Sequence, residues 1–74
     1  MSIYKVSHAT DQGRSQVVPL RAKTFNDALD EALAHTIRFQ RPNELVRQTI
    51  YRSIPNTAAH DIVHEEIYPD PAGT

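Results

Sequence analysis

The sequence predicts an α+β fold of order β-β-α-β-β: a four-stranded antiparallel sheet with one helix, about residues 24–38, packed on one face. Three observations predict it. A single stripe of apolar residues at helical spacing runs from Phe25 to Ile37. Segments rich in β-branched and aromatic residues lie on both sides of it, separated by Gly, Pro and Asn. The chain has 74 residues, of which 39% are hydrophobic and eight are Ala. That composition fills the space between one helix and a small sheet, and not two cores.

Residues 3–8, Ile-Tyr-Lys-Val-Ser-His, alternate as a strand and run into Thr10-Asp11-Gln12-Gly13-Arg14, where Gly13 is free to take φ > 0. Residues 16–22 read as the returning strand of a hairpin. Pro19 cannot donate to a ladder, which places this strand at an edge or a bulge. Thr24 is an N-cap with Asp27 three residues on, and Asp30 and Glu31 add negative charge near the helix start. Phe25, Ala28, Leu29, Ala32, Leu33, Thr36 and Ile37 form the buried stripe, and Pro42 stops the helix. From Asn43 periodicity alone does not decide. Residues 45–54 alternate as a strand yet also fit a helical stripe capped by Asn43, and residues 61–68 can be a strand ending at Pro69 or a helix capped by Thr57. The β-branched content favours two strands. Residues 1–69 then form one domain, with 70–74 a flexible tail.

The net charge of −1 conceals an asymmetry. All eight Lys and Arg lie in residues 1–52 with five acids, whereas residues 53–74 hold four acids and no Lys or Arg. Arg38, Arg41, Arg47 and Arg52 form a basic run opposed only by Glu44, while Asp61, Glu65, Glu66 and Asp70 make the acidic end. The two segments either neutralise each other in the fold or present an Arg-rich patch to an acidic surface or phosphates. There is no Cys, no basic n-region with an apolar stretch behind it, and no membrane-length apolar run, which together predict a cytoplasmic protein without membrane association.

Catalytic signals are weak. His60 and His64 are four apart, but Asp61 is too short for the general base of zinc proteases, and on a strand the imidazoles stand about 13 Å apart. Asp30, Glu31, Glu65 and Glu66 fall on solvated faces by periodicity. Ser7, Ser15 and Ser53 lack an elbow context, and Gly13 and Gly73 make no phosphate loop. The reading is therefore of a non-enzyme with no catalytic residues, no metal and no cofactor.

One helix leaves the second sheet face open. The expected registers turn Val46, Ile50, Ile54, Val63 and Ile67 toward the helix. They set Arg47, Thr49, Tyr51, His64, Glu66 and Tyr68 outward, with Tyr4 beside them. Tyr and Arg carry binding energy at protein interfaces, so Arg47, Tyr51, Arg52, His64, Glu66 and Tyr68 are the candidate partner-binding residues. The expected partner is a heterologous protein or protein complex, with a homodimer as the competing occupant. Nucleic acid fits less well at pI 6.4. The alternative is a small nucleic-acid-binding regulator using residues 43–68 as a helix pair with Arg47 and Arg52 exposed.

The opening strand Ile3-Tyr4-Lys5-Val6, the segment Arg21-Ala22-Lys23-Thr24 and the helix start Phe25-Asn26-Asp27-Ala28 set out an element order of generic residue types, common among small β-β-α domains. With Val46-Arg47-Gln48-Thr49 and the ending Tyr68-Pro69, that layout resembles small phage- and prophage-encoded accessory proteins of the anti-CRISPR type. The resemblance implies a non-enzymatic inhibitor that occupies a surface of a host defence complex. It carries over no functional residue, and a net charge of −1 departs from the strongly acidic character frequent among such inhibitors.

Overall fold

The computed structural model describes residues 3–69. The expected tail at 70–74 lies outside the described residues. The first hairpin pairs β1 (Tyr4–Thr10) with β2 (Ser15–Pro19), Val6 opposite Val18 and His8 opposite Gln16. Its turn is built as the residue types require: Gly13 takes φ 84°, and the Thr10 hydroxyl accepts from the backbone N–H of Gln12 and Arg14 at 3.2 and 3.0 Å. Pro19 closes an edge strand, which stops short of the expected residue 22 because Glu31 captures the backbone beyond Leu20. The Glu31 carboxylate accepts from Arg21 N–H with both oxygens and from Ala22 N–H, all at 2.9 Å. An acid expected to be merely solvated thus ties the helix to the chain that leads into it.

Helix α1 (Phe25–Phe39) starts where Thr24 Oγ1 accepts from Asp27 N–H at 3.2 Å and ends with Gln40 N–H donating to Thr36 O at 2.9 Å. Ala28, Ala32 and Thr36 are the buried row, and their small size lets the helix lie close over β1 and, beside it, β3 (Val46–Ser53). The buried stripe is narrower than the sequence suggests, since Leu33 and Ile37 are 40% and 65% exposed. β4 (His60–Tyr68) completes the sheet in the order β2-β1-β3-β4, with every pairing antiparallel. The α+β reading with β-β-α-β-β order therefore stands. The helix pair over residues 43–68 does not: both segments are strands, joined by a turn with Asn56 at φ 64°. Their β-branched side chains suit the extended backbone, whose groups pair across the β3–β4 ladder. No described helix is long and apolar enough to cross a membrane.

The core under α1 is Tyr4, Val6, Leu20, Ala28, Ala32 and Ile50, with Val18, Ala22, Leu29 and Val63 at its margin. Tyr4, expected on the open face, is only 7% exposed and belongs to this core because it shares the β1 face of Val6. Next to the apolar centre lies a polar row in cross-strand register, Gln16, His8, Gln48 and Glu66, one residue from each strand. Thr36 joins it from above. His8 is fully buried with Nε2 2.7 Å from Thr36 Oγ1 and Nδ1 3.2 Å from Gln16 Nε2. A neutral imidazole with its proton on Nε2 satisfies both contacts, donating to Thr36 and accepting from Gln16. Thr36 Oγ1 lies 2.5 Å from Gln48 Oε1, to which it donates, and Gln48 Nε2 reaches the Tyr68 hydroxyl at 3.5 Å.

His8 also stacks on Phe39, ring centroids 5.3 Å apart, and the Arg14 guanidinium lies 4.3 Å from the Phe39 centroid. Arg14 is held in place by Glu44, which is 4% exposed, through Nε to Oε2 at 2.9 Å and a second contact to Oε1. It also donates to Phe39 O at 2.5 Å. One side chain from the hairpin turn thus closes the C-terminal end of the helix, where positive charge is favoured.

These groups set the acid sensitivity. Burial, with a smaller contribution from His35, pushes the His8 imidazole below its ordinary value, so its contribution to stability is present above about pH 6.5 and is lost as pH falls through the depressed value. The hydrogen bond from Arg14 holds Glu44 below the usual carboxylate range, so its contribution persists to lower pH and is lost there. Urea midpoints are therefore expected to fall steadily from pH 7.5 to 4, and His8→Gln is expected to flatten the upper part of that profile. An unchanged profile in His8→Gln would show that His8 does not set the acid sensitivity.

Candidate functional site

The face of the sheet away from α1 is built by the alternate residues of the four strands. Three cross-strand rows define it: Ser15, Ala9, Arg47, Ile67; then Val17, Ser7, Thr49, Glu65; then Pro19, Lys5, Tyr51, Ile62. The two central strands contribute the small side chains Ser7, Ala9 and Thr49 between Lys5, Arg47 and Tyr51, and the outer strands carry the large aliphatics. Val17 on β2 is 61% exposed, and on β4 Ile62 and Ile67 are 60% and 56% exposed. Thr49 is buried although no described helix covers this face. The result is a floor of Ser7, Ala9 and Thr49 between apolar margins.

Positive charge lies at the two ends of that floor, and Glu65 stands at the margin of its middle row. Lys5 Nζ sits 5.5 Å from the Tyr51 ring centroid, a cation–π arrangement. At the opposite end Arg47 and Ile67, with Leu45, Ala9, Thr10 and Asp11, line a shallow hollow of about 340 Å³.

Against this geometry no family model, no curated protein and no solved structure matches the chain. The residues themselves carry the functional reading.

Of the six candidate partner-binding residues, only Arg47 and Tyr51 lie on the uncovered face. Arg52 stands opposite Tyr4 and Asp61 on the helix side, its guanidinium 4.0 Å from the Asp61 carboxylate. His64, Glu66 and Tyr68 stand opposite Ile50, Gln48 and Val46, which also face the helix, so the outward placement expected for these three is corrected. Ile67, expected inward, points outward for the same reason. The cause is a register irregularity between Ile50 and Tyr51, where Val63 is the extra residue. It lets Val63 pack against the core while the rest of β4 follows the polar row. His60 and His64 stand opposite Ser53 and Ile50, and the described residues contain no group of three or more His, Asp or Glu able to hold a metal ion.

The displaced trio forms its own small network. Tyr68 Oη donates to Glu66 Oε2 at 2.9 Å, and His64 Nε2 lies 3.4 Å from the same oxygen. The Tyr68 hydrogen bond, then that of His64, hold Glu66 below the usual carboxylate range, and partial burial followed by the Glu66 contact pushes the Tyr68 phenol up. Phe25 packs edge-on to His64 with centroids 6.2 Å apart, which ties the start of α1 to the outer strand. Gln40 donates to Pro69 O at 2.6 Å at the other end. These contacts give the trio a structural task. Sequence reasoning missed Val17, Lys5, Ile62 and Ile67 as face residues; period-2 alternation from Lys5 and Val17 marks the first two, but the bulge that redirects β4 has no sequence signal.

Proposed function

We propose that this chain is a small non-enzymatic binding protein that docks a protein partner on its uncovered sheet face. The observation that carries the reading is the pattern of that face: exposed Val17, Ile62 and Ile67 on the outer strands around a floor of small residues, with Tyr51 and Arg47 at its ends. Three exposed aliphatics on the two margins of one sheet face give it the apolar area a protein partner can bury. Tyr and Arg beside apolar area are the usual anchors of such faces. A nucleic-acid partner is disfavoured, because Lys5 and Arg47 share the face with Glu65 and form no continuous cationic track. The resemblance in element order to anti-CRISPR-type accessory proteins makes a host defence complex the first partner to examine, with inhibition by surface occupancy as the mechanism.

The test compares the wild-type chain with the triple variant Tyr51→Ala, Ile62→Ser, Ile67→Ser in affinity capture and in titration against the captured partner. All three sites are at the surface, so the variant is expected to retain its circular dichroism spectrum. Its affinity is expected to drop about 100-fold or more, since loss of the Tyr51 anchor with two apolar contacts is about 2.8 kcal/mol at about 1.4 kcal/mol per tenfold. Self-association abolished by the same variant would make a second copy the occupant. Unaltered affinity in a folded triple variant would sink the assignment.

A further inference from the structure

The fold disperses the basic run of the sequence. Arg47 goes to the uncovered face and Arg52 to Asp61, whereas Arg38 and Arg41 gather with Arg14 around a cleft of about 280 Å³ between β2 and the C-terminal half of α1. Val18 and Phe39 form its apolar walls, and Gln16 and His35 add neutral polar groups. Among the described residues, no carboxylate lines the cleft. The nearby acids are committed elsewhere: Glu44 to Arg14 and Glu31 to the backbone N–H groups of Arg21 and Ala22.

Arg38 has Ala34 and His35 one turn before it and Arg41 and Pro42 one turn after, so it has no acid at helical-neighbour spacing. Arg41 has Glu44 three residues on, but that carboxylate is already held by Arg14 through both oxygens. The negative end of the helix dipole offsets part of the repulsion, and its Phe39 carbonyl is likewise taken by Arg14. Glu44 also feels the Arg41 charge, so three guanidinium groups share one carboxylate, and two positive charges are left in excess around a partly apolar cleft.

We propose that this cleft is an oxyanion site that takes a phosphate group between Arg38 and Arg41, with Arg14 as its fixed cationic wall. A dianionic phosphate matches an excess of two positive charges, whereas a carboxylate neutralises one. Arg14, already fixed by Glu44 and Phe39, preorganises the cleft. The site lies on the helix side of the sheet, opposite the proposed docking face, so its occupancy and partner binding are separable.

The experiment is a titration of the full chain with inorganic phosphate at pH 7.5 and constant ionic strength, followed by thermal shift and by the Arg Nε–H resonances. Acetate and chloride serve as comparison anions. Saturable shifts at Arg38 and Arg41 with phosphate, a raised melting temperature, and about tenfold weaker binding in Arg38→Gln and in Arg41→Gln are the expected results. Lys23→Gln, which removes the same charge outside the cleft, is expected to bind as wild type. Tighter binding of O-phosphoserine than of inorganic phosphate identifies a peptide-borne group, and equal binding a free one. Equal responses to acetate and phosphate, or equal losses in Lys23→Gln and Arg38→Gln, would overturn the proposal.

Discussion

Ile50→Ala is expected to lower the melting temperature by about 10 °C or more. Ile50 is fully buried at the centre of β3, opposite Val6 on one side and His64 on the other, and it packs in the cluster under Ala28 and Ala32. Truncating a buried Ile costs about 2–5 kcal/mol, from lost transfer energy plus the cavity left behind. A chain of this size has total stability on the order of 4–11 kcal/mol at roughly 0.05–0.15 kcal/mol per residue. For a small domain each kcal/mol moves the midpoint by about 4–8 °C. Ile67→Ala, at a position 56% exposed on the uncovered face, is expected to stay within about 0.5 kcal/mol of wild type. Thermal melts of the two variants decide it: equal shifts would mean that Ile50 is not the keystone of the core.

The second large effect comes from a single hydroxyl. Thr36→Val keeps the β-branched shape but removes the oxygen that accepts from His8 Nε2–H and donates to Gln48 Oε1. Both partners are fully or nearly fully buried, at 0% and 1% exposure, so no water replaces the lost contacts. Each buried polar group left without a partner costs about 1–3 kcal/mol. The expected loss is therefore about 2–6 kcal/mol, comparable to the Ile50 cavity although the volume hardly changes. The triple replacement His8→Phe, Thr36→Val, Gln48→Leu makes the layer apolar and is expected to recover much of that loss, because no orphaned groups remain. Gln16, only half-buried, turns to solvent in that variant. Chemical denaturation of the single and triple variants separates the two contributions, and a triple variant no more stable than Thr36→Val would refute the orphaned-group explanation.

The acidic end of the chain and its basic run also resolve in a particular way. Among the described residues, Arg52 and Asp61 form the ion pair that joins the two segments, and at 4.0 Å with both side chains about half exposed it contributes little. Glu65 and Glu66 stay on β4 at one edge of the sheet, while Arg38 and Arg41 stay beside β2 at the other. The charge asymmetry of the sequence thus survives folding as an asymmetry across the sheet. Docking at the uncovered face and anion capture in the cleft draw on separate parts of it.

Local chemistry determined much of this protein. Thr24 and Pro42 bracket the helix, Ala28 and Ala32 mark its close face, Gly13 makes the first turn, and Pro19 confines its strand to an edge, because each acts within a few residues of itself. The order β-β-α-β-β arises from those signals together with β-branched content. What only the tertiary structure decided depends on partners far away in sequence. The register of β4, and with it the side on which His64, Glu66, Tyr68 and Ile67 fall, is set by pairing with β3 across a bulge at Val63. The choice between strand and helix for residues 46–53 required β1 and β4 as neighbours. Burial of His8, the union of Arg14 with Glu44, and the meeting of Arg14, Arg38 and Arg41 depend on pairs about 25 to 30 residues apart, where no periodicity reaches.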